Sequence, residues 1–292
     1  MRSSNLLLLG GLLLGGFVLV CLLLFLGQRR LMYFPDRMTE EAALRRAVRS
    51  GFVPWRDGEG RLMGWRCPAP AAPVQACLLV FHGNAGSALD RDYLARAFQG
   101  PAMTGAVEVC VLEYPGYGCR PGEPGEAAFL AAASAALDAL KAEGLPVVIL
   151  GESIGSGVAS RLAGLRPMDV AGLILVTPYT SFPAVARHHY PFFPSFLVRD
   201  TFKAAHALRG FRGPVAFLVA GRDEVVPAPL GMALHAGYGG PKGLWIEDRA
   251  THNTLDYDPT RPLWEEILRF AGGYKNGAPG DAGGSGQKAD PT

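Results

Sequence analysis

The apolar positions of this chain follow two different patterns. Residues 6–26 form one apolar run, dominated by leucine, that holds no charged residue. At about 1.5 Å per residue, a helix of this length spans roughly 30 Å, the thickness of the hydrocarbon core of a bilayer. From Gly51 onward, short apolar runs alternate with longer segments of helical periodicity. The patterns therefore predict a membrane-spanning helix followed by an α/β domain.

The flanks of the long apolar run favour a retained anchor over a cleaved signal peptide. Arg2 precedes the run and Arg29 follows it, which gives a spanning helix its charged ends. A cleavage site needs small residues, whereas Phe25-Leu26-Gly27 is bulky, and a large residue precedes Cys21 where lipidation would need a small one. A buried core helix of this length would contain polar residues. We therefore expect residues 1–30 to form a transmembrane anchor.

The orientation of this anchor is less strongly specified. Arg29, Arg30 and Arg37 outweigh Arg2 and the N-terminal amine. By the positive-inside rule, this excess of about one charge favours a cytoplasmic catalytic domain. A long C-terminal domain can cross a membrane regardless of such charges, so the side of the membrane stays open.

The alternation beyond Gly51 predicts a parallel sheet that helices cover on both faces. The predicted strands are residues 62–66, 76–81, 107–114, 147–150, 170–177, 215–220 and 244–247. The predicted helices are residues 88–99, 125–143, 153–165, 228–236 and 262–270. Residues 51–271 thus form one domain by size. A juxtamembrane segment, residues 31–50, connects it to the anchor, and residues 272–292 form a Gly-rich tail expected to be disordered.

Composition narrows the functional classes. Lys and Arg total 28 against 26 Asp and Glu, and a net charge of +2 argues against a nucleic-acid-binding protein. A hydrophobic fraction of 49% excludes a largely disordered chain, and the positive mean hydropathy of +0.16 reflects the anchor together with buried strands. The sequence contains no Cys-x-x-Cys spacing, so a zinc site is not expected. A disulfide among Cys67, Cys77, Cys110 and Cys119 is possible but is not specified by the sequence.

A candidate nucleophile lies between a predicted strand and a predicted helix. Residues 151–155 read Gly-Glu-Ser-Ile-Gly, the Gly-x-Ser-x-Gly pattern. A sharp strand-to-helix turn holds such a serine in a strained conformation and exposes its hydroxyl above the sheet. The alternative is an ordinary glycine-rich turn. The strand and helix on either side favour Ser153 as a nucleophile.

A nucleophilic serine needs a base and an acid that orients the base. In this class the chain order is Ser, then Asp or Glu, then His. His252 follows the last predicted strand and is favoured as the base over His235, which lies on a predicted helix. Asp223 directly follows the predicted strand 215–220 and is favoured as the acid over Glu224. The remaining candidates lie between two core strands: His188, His189 and His206.

The oxyanion formed in acyl transfer needs two backbone N–H donors. Ile154, directly after Ser153, supplies one. The other is expected from the glycine-containing loop at residues 82–86, where Asn84 is the candidate. His82, in the same loop, precedes Ser153 in the chain and is expected to be structural.

With these residues assigned, the chain resembles the α/β-hydrolase superfamily, and within it the membrane-anchored α/β-hydrolase-domain proteins of the bud-emergence type, related to serine aminopeptidase-like hydrolases. The shared motifs are Tyr33-Phe34-Pro35, Phe81-His82-Gly83-Asn84-Ala85-Gly86, Glu113-Tyr114-Pro115-Gly116-Tyr117-Gly118, Gly151-Glu152-Ser153-Ile154-Gly155-Ser156, Gly221-Arg222-Asp223 with Val226-Pro227, and His252-Asn253. The resemblance implies the α/β-hydrolase fold, with a mostly parallel eight-stranded sheet. It implies a triad of Ser153, Asp223 and His252, and hydrolysis of an ester, thioester or amide through an acyl-enzyme.

The weakest match is residues 182–212, where this superfamily carries its cap insertion. The aromatic residues there suit a small apolar cap over an acyl chain, but they suit a core-packing loop equally well. The candidate substrate-binding residues in and beside this segment are Tyr179, Tyr190, Phe192 and Phe193.

The sequence therefore predicts a membrane-anchored serine hydrolase that cleaves a carboxylic ester or thioester of a lipid or acyl substrate. It predicts no cofactor, no metal and no nucleic-acid partner, and leaves the oligomeric state unspecified. A membrane-tethered aminopeptidase and a non-catalytic hydrolase-fold scaffold are the alternatives. Deletion of the residues before Gln28 is expected to leave a soluble, active hydrolase.

Overall fold

A helix of 31 residues, α1 (Arg2–Met32), leads the chain in the computed structural model, which describes residues 2–272. The most apolar 18-residue stretch within Leu7–Met32 has a mean hydropathy of 2.8, and only 6% of that stretch is buried against protein. A core helix would be covered by its neighbours, so this exposure fits a helix whose surroundings are lipid. The segment is a candidate membrane span. The predicted disordered tail lies outside the described residues, apart from Gly272.

An eight-stranded, mostly parallel sheet forms the centre of the domain, as predicted. The strands are β1 (Phe34–Pro35), β2 (Val53–Arg56), β3 (Leu62–Cys67), β4 (Val74–Phe81), β5 (Ala85–Gly86), β6 (Ala106–Leu112), β7 (Val147–Glu152), β8 (Gly172–Val176), β9 (Val215–Ala220) and β10 (Lys242–Glu247). Their order in the sheet is β10-β9-β8-β7-β4-β6-β3-β2, and β1 pairs with β5 in a separate parallel pair. The pairs β2–β3 and β3–β6 are antiparallel, so β3 runs opposite to the other seven strands of this sheet.

Helices cover both faces of this sheet. They are α2 (Glu40–Arg49), α3 (Asp92–Phe98), α4 (Glu126–Ala142), α5 (Ile154–Leu165), α6 (Phe182–His189), α7 (Ala204–Ala207), α8 (Ala228–Gly237) and α9 (Pro262–Phe270). Single 3-10 turns lie at Ala88–Arg91, Ser195–Leu197 and Leu208–Gly210. Along β4, Leu79 and Phe81 pack into one core cluster while Leu78 and Val80 pack into the other. Both faces are therefore buried, which explains the continuous apolar run in the sequence.

The structure differs from the sequence-based prediction at several elements, among them the region of α3, strand β2 and helix α6, which was not predicted. The predicted helix 88–99 is a 3-10 turn followed by the shorter α3, because Asp90 caps the backbone N–H of Ser87 and gives the turn its own start. Strand β2 was not predicted. It is an edge strand in which only Trp55 is buried, and it contains Pro54, so it shows neither an apolar run nor alternation.

The segment after α1 packs into the domain. Tyr33 is buried in the same core cluster as Phe129, whereas Ala43 and Ala47 of α2 are buried in the opposite cluster. Thr39 begins α2 by accepting a hydrogen bond from the N–H of Ala42 at 3.3 Å. The juxtamembrane residues are therefore part of the folded core.

Close packing between α5 and β4 requires glycine at position 155. A Cβ atom there would lie 2.0 Å from the carbonyl oxygen of Phe81. We expect Gly155→Ala to destabilise the domain by about 1–3 kcal/mol, because the backbone must move to relieve the clash. Thermal unfolding should show a decrease in Tm of roughly 5 °C.

Gly58→Ala is the matched control, since a Cβ atom at Gly58 meets nothing within 4 Å. Its Tm should equal that of the wild type. An unchanged Tm for Gly155→Ala would contradict the packing described for α5.

Candidate active site

Ser153 lies in a sharp turn between β7 and α5. Its backbone has φ 54° and ψ −120°, a region that residues other than glycine rarely adopt. The Ser153 N–H donates a hydrogen bond to the carbonyl oxygen of Val176 on β8 at 2.9 Å, which helps to hold this conformation. A Cβ atom at Gly151 would lie 2.4 Å from the carbonyl oxygen of Gly155. The two glycines therefore allow the chain to fold back on itself around the serine.

His252 and Asp223 form a continuous hydrogen-bonded chain with Ser153. The Nε2 atom of His252 lies 3.0 Å from Ser153 Oγ, and its Nδ1 atom lies 2.8 Å from Oδ2 of Asp223. Asp223 follows β9 and His252 follows β10, so parallel strands bring all three residues to the same edge of the sheet. The geometry is that of a nucleophile, a base and an orienting acid.

The Asp223 carboxylate is buried and fixed. Its side chain is 1% exposed, and Oδ1 accepts hydrogen bonds from the N–H groups of Val225 at 2.9 Å and Val226 at 2.6 Å. Glu224, the rival acid, contacts the backbone N–H of His252 at 3.5 Å instead of the imidazole. Asp223 is therefore the carboxylate that can set the tautomer of His252.

The other histidines lie in different surroundings. His235 packs edge-on against Phe217, and burial lowers its pKa. His189 Nε2 lies 2.8 Å from the carbonyl oxygen of Val225, and His206 is exposed on α7. His82 is fully buried, and burial lowers its pKa to about 3, so it stays neutral and packs against Tyr114. These contacts fit structural or surface positions.

The two expected oxyanion donors flank Ser153. Ile154 is the first residue of α5, and Asn84 follows β4; both line a cavity at the serine. Within residues 2–272, neither backbone N–H donates to another group in the hydrogen bonds of loops and caps. The Asn84 side chain is already used, since Nδ2 donates to the carbonyl oxygen of Met32 at 2.5 Å and Oδ1 accepts from the Tyr117 hydroxyl at 3.1 Å.

An apolar cavity of about 600 Å³ opens on one side of Ser153. Three of the four candidate substrate-binding residues line it, namely Tyr179, Tyr190 and Phe193, and Tyr179 also donates to the carbonyl oxygen of Ile154 at 3.3 Å. Phe192 is 88% exposed, and the structure does not bring it to the cavity. The cap segment thus covers apolar space beside the serine.

A second cavity, of about 510 Å³ and more polar, lies on the other side of Ser153. Glu152 lines it and accepts hydrogen bonds from the hydroxyls of Tyr93 at 2.6 Å and Tyr257 at 3.2 Å. Its Oε2 atom lies 3.1 Å from Nε of Arg91. Burial raises the pKa of Tyr93 and that of Tyr257, so both hydroxyls stay protonated as donors. Arg91 therefore balances the negative charge of Glu152, and the two tyrosine hydroxyls hydrogen-bond to its carboxylate.

Sequence reasoning missed this polar cluster and part of the apolar cavity. The cluster draws on three separate parts of the chain, with Arg91 and Tyr93 in one, Glu152 in another and Tyr257 in the third. Only Glu152 stands in a recognisable motif, inside Gly-x-Ser-x-Gly. Residues of α1 also line the apolar cavity, including Leu24 and Met32. A deletion of all residues before Gln28 would thus remove a wall residue of the cavity. Hydrophobicity identifies a membrane helix but cannot tell which of its residues contact protein.

The cysteines form no disulfide, since all five are free. One group within residues 2–272 could approach a metal ion, because ligand atoms of Cys77, Glu108 and Glu143 lie within 4.8 Å of one another. Arg66 holds both carboxylates, with N–O distances of 2.9 Å to Glu108 and 2.6 Å to Glu143. Burial also raises the pKa of the Cys77 thiol to about 12, which disfavours the thiolate that a metal needs. These residues fit an ion-pair cluster better than a metal centre.

Comparison with known proteins gives the same family. The profile of the family "Serine aminopeptidase, S33" matches residues 72–209. The uncharacterized protein Rv2307c of Mycobacterium tuberculosis is 33% identical over 83% of this chain and 86% of its own length. Protein bem46 of Schizosaccharomyces pombe is 30% identical over 60% of this chain and 61% of its own. The lysophosphatidylserine lipase ABHD12 of Mus musculus is 30% identical over 62% of this chain.

The chain spans about half the length of ABHD12, with 50% covered. Among solved structures, the ferulic acid complex of Est1E from Butyrivibrio proteoclasticus superposes with a TM-score of 0.61 at 16% identity. That match covers 75% of this chain and 99% of Est1E. The mostly parallel sheet of this chain and its relatives indicate the same superfamily. The chain therefore belongs to the α/β-hydrolase superfamily, with relatives of the bud-emergence type.

Proposed function

We propose that this protein is a membrane-anchored serine hydrolase that cleaves a carboxylic ester or thioester of an acyl lipid. The observation that carries the proposal is the hydrogen-bonded chain from Ser153 through His252 to Asp223, at a strained turn that opens onto an apolar cavity. The candidate span at Leu7–Met32 supports the membrane anchor. No metal or cofactor is needed for the reaction.

In the first half of the reaction, His252 Nε2 takes the proton of Ser153 Oγ as the oxygen attacks the substrate carbonyl carbon. Asp223 holds the Nδ1–H of the imidazole and stabilises the imidazolium. The backbone N–H groups of Ile154 and Asn84 bind the oxyanion, aided by the N-terminal end of α5. His252 then protonates the leaving group, which departs and leaves an acyl-enzyme.

In the second half, water replaces the leaving group. His252 removes a proton from the water, whose oxygen attacks the acyl carbon, and the same two N–H groups stabilise the second oxyanion. Collapse of this intermediate returns the proton to Ser153 Oγ and releases a carboxylic acid.

The two cavities support a substrate with one apolar and one polar part. The apolar cavity, with Phe182 and Val185 in its wall, suits an acyl chain. The polar cavity, with His252 and Asn253 in its wall, suits an alcohol or thiol leaving group. The name of one relative, the lysophosphatidylserine lipase ABHD12, is consistent with a substrate of this kind.

The aminopeptidase alternative requires acidic groups that are available to hold the amine of the substrate. Glu152 is the carboxylate best placed for this in the polar cavity. It already accepts two tyrosine hydroxyls and pairs with Arg91, so it offers little charge to an incoming amine. The ester or thioester reading is therefore favoured. The scaffold alternative would be expected to have lost a member of the triad, and this chain retains all three.

A fluorophosphonate probe tests the nucleophile. Wild-type protein should become labelled, and Ser153→Ala should not, because the variant has no hydroxyl to form the adduct. His252→Ala should lower the labelling rate by about 10²–10⁴-fold through loss of the base. The measurement is in-gel fluorescence with time.

His206→Ala, at an exposed histidine on α7, is the matched control and should label like the wild type. Equal labelling of wild type and Ser153→Ala would contradict the assignment of Ser153 as the nucleophile. Equal labelling rates for His206→Ala and His252→Ala would contradict the assignment of His252 as the base.

A substrate panel tests the reaction class. Because Glu152 is neutralised, medium-chain p-nitrophenyl esters should be hydrolysed with a kcat/KM at least about 100-fold above that for aminoacyl-p-nitroanilides. Release of nitrophenol and nitroaniline is followed by absorbance, with Ser153→Ala as the blank. A preference for the anilides would favour the peptidase.

A further inference from the structure

The C-terminal end of α1 is a wall of the apolar cavity. Leu24, Gln28, Leu31 and Met32 all line it, together with residues of the cap segment. Their spacing places them on one side of the helix. Cys21, one turn earlier on the same side, is also buried. Leu26, by contrast, is 64% exposed and does not line the cavity. One side of the candidate span therefore contacts the substrate space.

Hydrogen bonds fix this end of the helix to the cap. Gln28 donates from Nε2 to the carbonyl oxygen of Leu197 at 3.2 Å and accepts at Oε1 from the N–H of Arg199 at 2.8 Å. Arg29 makes two bonds of 2.9 Å to the carboxylate of Asp200, a residue that is 3% exposed. A bidentate pair of this kind defines orientation as well as distance. The last turns of α1 are therefore part of the domain.

The residues that follow are fixed to the oxyanion loop. Tyr33 donates its hydroxyl to Asp200 at 3.0 Å, and the Met32 carbonyl oxygen accepts from Asn84 Nδ2. The short strand β1 then pairs with β5, directly after Asn84. The same few residues thus connect the candidate span to both the cap and one proposed oxyanion donor.

The mouth of the cavity is apolar and lies where α1 enters the domain. Three lining residues are more than half exposed, so the cavity opens between them: Leu31 at 61%, Phe34 at 58% and Tyr190 at 67%. Phe192 at 88% and Phe196 at 84% add exposed aromatic rings on the same cap segment. Large exposed apolar side chains mark a contact surface, and aromatic residues are favoured at the interface of a bilayer. Because the patch continues the candidate span, the lipid bilayer is the occupant that it fits best.

We propose that the anchor helix is itself part of the acyl-binding site, and that the acyl chain of a single-tailed membrane lipid passes laterally from the bilayer along α1 into the cavity. This inference rests on the proposed function. The polar part of the lipid then lies in the second cavity, across Ser153. A cavity of about 600 Å³ is the size of an ordinary small-ligand site and suits one chain.

A photoreactive probe tests this route. Full-length protein in phospholipid nanodiscs is labelled with a long-chain alkyl fluorophosphonate that carries a diazirine near the end of the chain. After irradiation, mass spectrometry of the digest should find crosslinks to residues 24–32 of α1 and to α6. Labelling of Ser153 without any crosslink to α1 would overturn the inference. Absence of labelling at Ser153 would instead overturn the proposed function.

Matched variants supply a second measurement. Leu24→Trp should narrow the cavity and lower kcat/KM for a long-chain monoacyl ester in the nanodisc about tenfold relative to that for p-nitrophenyl acetate. Leu26→Trp adds the same side chain on the lipid-facing side, and its ratio should equal that of the wild type. Equal ratios for the two variants would overturn the role of α1, and acetate hydrolysis that survives in Ser153→Ala would overturn the proposed function.

Discussion

The backbone conformation of Ser153 is the constraint on which the site depends. A residue other than glycine at φ 54° costs about 1–3 kcal/mol, so its surroundings must hold it there. The Val176 carbonyl oxygen and the close approach of Gly151 to Gly155 do so. Strand β7 lies between β4 and β8 near the middle of the sheet. The loops after β4, β9 and β10 can therefore reach the serine from either side, and the proposed oxyanion donors, acid and base lie on them.

The parts of the site that the sequence predicts are those defined by local patterns. Gly-x-Ser-x-Gly needs only a strand before it and a helix after it, and Asp223 and His252 each follow a recognisable apolar run. The Glu152–Arg91 pair and its two tyrosines are different, because these side chains meet only after the sheet has formed. For the same reason, no periodicity in residues 6–26 distinguishes Leu24 from Leu26. The sequence specifies that the helix is apolar, and tertiary contacts decide which side meets protein.

Burial explains why charge is arranged so differently around the serine. Asp223 is almost inaccessible yet accepts two backbone N–H groups and the imidazole, so its negative charge is satisfied in place. Arg91 balances the charge of Glu152, and two tyrosine hydroxyls donate hydrogen bonds to it. Each carboxylate has its own set of donors, which leaves Ser153 between a fixed polar side and an apolar one. In the proposed mechanism, this asymmetry orients the ester bond before any chemistry begins.

The bonds of Gln28 and Arg29 to the cap also affect how the protein would sit in a membrane. Residues 7–26 precede these contacts, and at 1.5 Å per residue they extend roughly 30 Å, about the thickness of the hydrocarbon core. Because the end of α1 is bonded to the cap, no flexible linker separates the domain from the candidate span. The depth of the span in the bilayer would therefore also set how deeply the mouth of the cavity, with Phe192 and Phe196 on the same cap segment, is immersed.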